Sequence, residues 1–359
     1  MLAQDYPAIE YIVVDGGSTD GSVEIIRRYA DRLAWWVSEP DGGQTDAIDK
    51  GFRRATGDAV GWLNSDDLLP PNAVSEAVAA LEADPSLGFV YRDCECIDAE
   101  GRHAADYPTR QHDATSLLLE ANPIAQPTVL MRRAALEAVG GLDTRLHYLM
   151  DFDLWLRIAA RTPIQHVPGI GAKFRLHADS KTIAKSAEFW VEAIAHLEDD
   201  QDLSAAVGAP VLAEGIRRLH VRAALDHFHA GDLDRFGSHF ASALQGDSPP
   251  WGERGALADN LLFGVVRPQY EVLPDAEAAS RLRRLVSALA PVDRETAGRL
   301  AQVAAFWSAQ RGLDTDAAWF GARAVRFAPG TGTNRGLVKA TGLGALRSAR
   351  DRAKQWGRR

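Results

Sequence analysis

The chain's 359 residues, 46% hydrophobic and 25% charged, suit two folded domains and are too apolar for a disordered polymer. A formal charge of −9 argues against a nucleic-acid binder, although Thr331 to Arg359 carries eight basic residues against one acidic and leaves −16 on the rest. With two cysteines, no run of about 18 apolar residues and no charged-then-apolar leader, the sequence predicts no disulfide framework, membrane-spanning helix or signal peptide.

From Met1 to about Lys185, short apolar runs alternate with helical patterns. Ile9 to Val14 reads as a buried parallel strand ending at Asp15. Ser18, Thr19 or Asp20 can cap a following helix whose apolar face is Ile25, Ile26, Tyr29 and Leu33. Ala34 to Val37 reads as a second strand, leading into the loop Glu39-Pro40-Asp41-Gly42-Gly43. A helix from about Thr45 to Ala55 is expected to end on a left-handed cap at Gly57. Ala59 to Leu63 is the next strand and delivers the turn Asn64-Ser65-Asp66-Asp67. Pro70-Pro71 starts a helix to about Ala83, and Gly88 to Ile97 follows as a strand holding Cys94 and Cys96, read as half-buried thiols in a reducing compartment. Gly169 to Phe174 is also strand-like. The loops from about Asp98 to Asn122 give no clear pattern. This rhythm predicts an α/β fold, a mostly parallel sheet in an αβα sandwich over residues 1–185. After about Lys185, Ala- and Leu-rich segments with helical spacing predict an all-α domain over 186–330 with no clear repeat period, followed by a basic tail, 331–359.

In open sheets ligands gather outside the carboxyl ends of strands, which directs attention to Asp15, Glu39 to Gly43 and Asn64 to Asp67. Two adjacent carboxylates at a strand end repel one another unless a cation or hydrogen-bond donors compensate. Asp66 and Asp67 therefore suit a hard cation, Mg²⁺ or Mn²⁺, and equally suit capping of the helix after Pro70-Pro71. Gly16 and Gly17 after Asp15 let the backbone approach a ligand and also fit an ordinary strand-to-helix turn; neither a Walker loop nor a GxGxxG spacing is present. Asp151 and Asp153 precede an amphipathic helix, where each can serve as an N-terminal cap or as a general base. His177, between Arg175 and Lys181, can contact a diphosphate or ligate a metal, or be structural.

Six segments together resemble the family 2 glycosyltransferases of the GT-A fold. They are YIVVDGGSTDGS (11–22), SEPDGGQTDAIDKG (38–51), TGDAVGWLNSDD (56–67), QPTVLMRR (126–133), MDFDLWLR (150–157) and RLHADSKT (175–182). The resemblance implies inverting transfer from a nucleoside-diphosphate sugar to a glycan or glycolipid hydroxyl, in surface polysaccharide or glycoconjugate assembly. It implies a nucleotide and donor site of Asp15, Glu39, Asp41, Gly43, Lys50, Asn64, Ser65 and Gln126. Asp66 would bind a Mg²⁺ or Mn²⁺ ion, with Asp67 and His177 completing the metal–diphosphate site. Asp151 would be the catalytic base, ahead of Asp153. A cytoplasmic enzyme is implied, with the basic tail offering peripheral contact at the inner face of the plasma membrane.

Three departures qualify the resemblance. Asn64 stands where many members carry an acid, and Asp49 replaces the usual Asn before Lys50-Gly51. Members also normally begin with a nucleotide-contacting strand and helix before AQDYP, whereas Met1 lies just ahead of Gln4-Asp5-Tyr6-Pro7, so a gap in the sheet is expected. A nucleotidyltransferase would share the αβα layout, but the Gly-rich signature with Arg and Lys is not found. The other alternative is a non-catalytic nucleotide-sugar-binding or scaffold protein derived from such an enzyme.

Overall fold

The computed structural model describes residues 1–107, 109–176, 186–266, 273–329 and residue 337. The chain divides into two compact units, Met1–Gly215 and Ile216–Arg359. The described elements after residue 185 are all helices, and the division between units falls later than the expected boundary, after Gly215.

In the first unit the elements are β1 (Ile12–Asp15), α1 (Ser22–Arg28), β2 (Trp35–Ser38), α2 (Gln44–Arg54), β3 (Ala59–Val60), α3 (Ala73–Ala83) and β4 (Phe89–Ile97). Then follow β5 (His103–Tyr107), α4 (Ala114–Glu120), β6 (Leu130–Arg132), α5 (Arg133–Ala138), α6 (Met150–Ala159), β7 (Ile164–Arg175), α7 (Ser186–Leu197) and α8 (Gln201–Val207). The fold is α/β, and its strands form two sheets. β1 and β2 pair in parallel by themselves, Ile12 opposite Trp35. The other five form a sheet in the order β3-β6-β4-β5, with β7 also on β4. The longest pairing, β4 with β7, is parallel, while β3–β6, β4–β6 and β4–β5 are antiparallel, so the larger sheet is mixed. Its antiparallel character comes from short strands and from a hairpin in the 98–122 region that showed no periodic pattern.

The physical contrast between the two sheets is large. β4 is buried along nearly its whole length: Phe89, Val90, Tyr91, Cys96 and Ile97 are fully enclosed. Trp155 of α6 is also fully enclosed, packed on Trp62 and Phe89 at ring-centroid distances of 5.4 and 5.2 Å. Truncating such a residue costs about 3–5 kcal/mol. No residue of β1, β2 or α1 is buried. Ile25 and Tyr29, expected on the apolar face of α1, are 50% and 46% exposed. Among the described residues no hydrogen-bonded pairing joins β1 to the larger sheet.

Several local expectations need correction. Cys94 and Cys96 are free and wholly buried rather than half-buried, because β4 is flanked on both sides; burial lifts both thiols, Cys96 to about 11. Helix α2 ends on Ala55 in extended geometry, and Gly57 does not adopt a positive φ. The cap of α1 is Gly21 at φ 95°, with Asp20 accepting the Ser22 N–H at 3.0 Å.

The second unit is helical throughout its described residues. α9 (Ala209–Ala230) runs into it, followed by α10 (Leu233–Ala243), α11 (Arg254–Val266), α12 (Asp275–Leu289), α13 (Arg294–Gln310) and α14 (Asp314–Phe327). One buried cluster of Phe, Leu and Ala side chains from these helices forms its core. Ala297, Ala301, Ala304 and Ala305 of α13 are fully buried, and a Cβ at Gly298 would lie 2.7 Å from Ala328, so small residues permit this close approach. The basic segment 331–359 lies, but for Leu337, outside the described residues.

Candidate functional site

The polar residues at the strand ends form a connected set. At the end of β1, Asp15 Oδ2 accepts the Gly17 and Ser18 N–H groups at 3.1 and 2.9 Å and the Ser38 hydroxyl at 2.7 Å. The Ser18 and Ser38 bonds hold its carboxyl down to about 2, so it stays ionised. Gly17 at φ 84° makes the turn, and a Cβ on Gly16 would meet Asp41 Oδ2 at 2.7 Å. Asp41 Oδ1 accepts the N–H of Gly43, whose φ of 112° precedes α2. Lys50 reaches Glu39 at 2.6 Å, an exposed pair. Asp49 is buried and paired with Arg53 at 2.7 Å, which accounts for its charge.

The acidic turn is joined to this loop through amides. Gln44 Nε2 donates to Asn64 Oδ1 at 2.8 Å, Asn64 Nδ2 donates to Gln126 Oε1 at 3.3 Å, and Gln126 Nε2 donates to the Trp62 carbonyl at 2.8 Å. An amide at position 64 can both accept and donate in this chain, which a carboxylate cannot. Ser65 is exposed and Asp66 half-buried. Asp67 is only 4% exposed; its Oδ1 accepts the Arg175 N–H at 2.9 Å, while Oδ2 is buried and has no hydrogen-bond partner among the described residues. Burial, reinforced by neighbouring Asp66, lifts the Asp67 carboxyl to about 7. Arg175 fastens the turn from β7: its guanidinium donates to the carbonyls of Asp66, Asp98 and Ala99 at 2.9, 2.9 and 3.0 Å.

An unpartnered buried carboxylate oxygen beside a second carboxylate is chemically suited to a hard divalent cation. Among the described residues no group of three or more His, Cys, Asp or Glu is arranged to hold a metal ion. The expected third donor, His177, lies outside the described residues.

Thr45, next to Gln44, is buried and donates to the Leu146 carbonyl at 2.6 Å, bringing the start of α2 against the turn before α6. On α6 the two candidate bases have different surroundings. Asp153 is 2% exposed, bound by Arg157 at 2.5 and 2.9 Å and by His196 at 2.9 Å. Burial opposes its ionisation, but the His196 and Arg157 bonds prevail and lower its carboxyl. Every strong bond it makes is structural. Asp151 is half-buried and lifted to about 6, chiefly by burial. Its Oδ1 accepts the Phe152 N–H at 2.7 Å, and Asn122 Nδ2 approaches Oδ2 at 3.4 Å. Asn122 and its neighbour Ala121 both have positive φ, 59° and 57°, uncommon for residues other than glycine.

The structure thus brings Asn64 together with Gln126, Asp66 and Asp67 with Arg175, Glu39 with Lys50, and Asp15 with the Gly16–Gly17 turn. Sequence reasoning missed Gln44, Asn122 and Arg175 as members of the set. Gln44 and Arg175 lay inside recognised segments, whereas Asn122 carried no sequence signal.

Residues 1–140 match the family model described as Glycosyl transferase family 2. The O-antigen biosynthesis protein RfbC of Myxococcus xanthus is 31% identical over 170 residues, 46% of this chain and 13% of that protein. An uncharacterized glycosyltransferase of Rickettsia typhi is 29% identical over 189 residues, 50% of this chain and 58% of that protein. The matched stretches thus cover less than two thirds of the length of these relatives. Among solved structures, the mannosyltransferase PcManGT from Pyrobaculum calidifontis, in complex with GDP-Man and Mn²⁺, is 22% identical, covers 80% of each chain and has a TM-score of 0.47.

Proposed function

We propose that the chain, whose residues 1–140 match the family 2 glycosyltransferase model, transfers a sugar from a nucleoside-diphosphate donor to an acceptor hydroxyl with inversion, using Asp151 as the base. The observation that carries the reading is the division of labour on α6. Asp153 is tied to Arg157 and His196, leaving Asp151 as the carboxylate with a raised proton affinity and few fixed partners. A base whose pKa lies near neutrality is effective in taking a proton from a hydroxyl, a contribution of about 10²–10⁴-fold.

Asp15 serves the nucleoside, since an ionised carboxylate in a glycine turn is a ready acceptor for a base or ribose. The Glu39–Gly43 loop, Lys50 and the Gln44–Asn64–Gln126 chain shape the donor pocket beside it. Asp66 and Asp67 would hold a Mg²⁺ or Mn²⁺ ion, with His177 as further donor, and such an ion would neutralise charge on the departing diphosphate. The acceptor is a glycan or glycolipid of surface polysaccharide assembly. Among the described residues no helix is long and apolar enough to cross a membrane. The basic segment 331–359 suits peripheral attachment to an anionic leaflet, which vesicle sedimentation of the chain with and without that segment tests.

The deciding experiment measures hydrolysis or transfer with UDP-, GDP- and dTDP-sugars plus Mn²⁺ for the wild type, Asp66→Ala and Asp151→Asn. Loss of activity in both variants is expected. Activity surviving both substitutions would remove the mechanism, and an inert wild type across the panel would favour a non-catalytic binding protein.

A further inference from the structure

The N-terminus of α6 is held in an unusual way. Its capping position is Leu149, which has no side-chain acceptor to offer. The N–H groups of the preceding turn are bound from α7 instead. The Glu192 carboxylate accepts the N–H of His147 at 2.9 Å and those of Tyr148 and Leu149 at 2.7 Å each. One turn further along α7, His196 binds Asp153, and one turn earlier Phe189 stacks on Phe152 with ring centroids 6.4 Å apart. Residues 189, 192 and 196 share one face of a helix, so a single surface of α7 grips residues 147–149, 152 and 153. Asp151 sits between these grips.

We propose that α7 is a positioning clamp for Asp151: Glu192 and His196 fix the first turn of α6 and thereby aim the Asp151 carboxylate at the acceptor hydroxyl. The inference rests on the reading of Asp151 as the base. Neither Glu192 nor His196 touches a reacting atom. Both act through backbone direction, where a displacement of about 1 Å can cost a hundredfold in rate. Phe152 and Asp153 are enclosed, so α6 cannot find another seat once the clamp is loosened; its first turn instead gains freedom at the half-buried Asp151.

The clamp is tested with the full chain and Mn²⁺, timing hydrolysis of UDP-glucose, GDP-mannose and dTDP-rhamnose for the wild type, Glu192→Ala, Glu192→Gln, His196→Ala and Asp151→Asn. Glu192→Ala is expected to lower kcat about tenfold to a hundredfold with donor KM unchanged. Glu192→Gln, which keeps one acceptor oxygen, should recover part of the loss, and His196→Ala should lose less than Glu192→Ala. Wild-type kcat in both folded alanine variants, with Asp151→Asn inactive, overturns the clamp and leaves the base assignment intact. Full activity in Asp151→Asn overturns the base assignment itself. Should Glu192→Ala fail to fold, Glu192→Gln and His196→Ala carry the same comparison. If hydrolysis is too slow to time, ¹³C-carboxyl NMR follows Asp151 directly. Its midpoint should fall toward the ordinary carboxylate value in the clamp variants as water gains access, and an unmoved midpoint overturns the proposal.

Discussion

Replacing Asp151 by Asn should make the protein slower and more stable at once. Its carboxyl titrates near 6 in the fold, against 3.8 for an unhindered aspartate. For a carboxylate raised in this way the sign is unfavourable. Folding is unpenalised below the unfolded value, loses stability as pH climbs from there to the folded value, and stays penalised above it. The penalty at pH 8 is at most about 3 kcal/mol, and partial solvent access reduces it. Asn cannot accept from both the Phe152 N–H and the Asn122 amide, which costs about 1 kcal/mol in return. A net gain of about 1–2 kcal/mol remains, or roughly 2–6 °C for a unit of this size, readable by calorimetry at pH 8 and absent near pH 4. The wild-type rate should fall below pH 6, because about nine-tenths of Asp151 is ionised at pH 7 and about one-tenth at pH 5. At saturating Mn²⁺ this acid limb should vanish with the activity in Asp151→Asn. An acid limb near pH 4, or a variant less stable than the wild type at pH 8, would refute the reasoning.

Removing the Asn122 amide while keeping its backbone, Asn122→Gly, should raise the Asp151 midpoint and shift the acid limb of kcat upward, since that amide favours the ionised form. Arg175→Ala leaves the carbonyls of Asp66, Asp98 and Ala99 without their donor; thermal unfolding should show a loss of about 2–3 kcal/mol. The melting-temperature rise produced by Mn²⁺ should shrink in that variant, because the acidic turn then keeps only its backbone bonds to β7 and loses the side-chain tie at Asp66. Asp153→Ala strands Arg157 and His196 and should cost about 3 kcal/mol by chemical denaturation. The Asp153 bond raises His196, where Asp143 and Asp200 also contribute, so this stabilisation is complete below about 6.5 and is lost as pH rises through the folded value. Asp153 itself is lowered, so its share is present above its unfolded value and disappears as pH falls through the folded one.

What the sequence disclosed was governed by locality. A strand followed by polar residues is a local pattern, and it located Asp15, the Glu39–Gly43 loop and the acidic turn. The positions of Gln44, Asn122 and Arg175 depend on contacts 20 to 109 residues away, for which the pattern carries no record. The 98–122 stretch escaped because β5 is an exposed edge strand without apolar alternation, and α4 is only seven residues long. The mixed character of the larger sheet was hidden for a related reason. β3 and β6 contribute two and three residues, too few to display a direction, yet they set the antiparallel pairings beside β4.

Asp151 and Asp153 show most plainly why position in a helix does not assign a role. Both lie in the first turn of α6 and both face the same favourable dipole, while the capping position itself is Leu149. Their proton affinities nevertheless move in opposite directions, one lifted to about 6 and the other lowered. The dipole is common to both and cannot produce a difference in sign. Both are removed from water, and burial alone would raise both. Asp153 is lowered because Arg157, one turn along, and His196, from another helix, donate to both of its oxygens. Among the described residues Asp151 has a backbone N–H and a long amide contact against its own desolvation. Removing His196 should therefore shift Asp153 toward ordinary carboxylate behaviour without making it a base, because Arg157 still occupies its other oxygen.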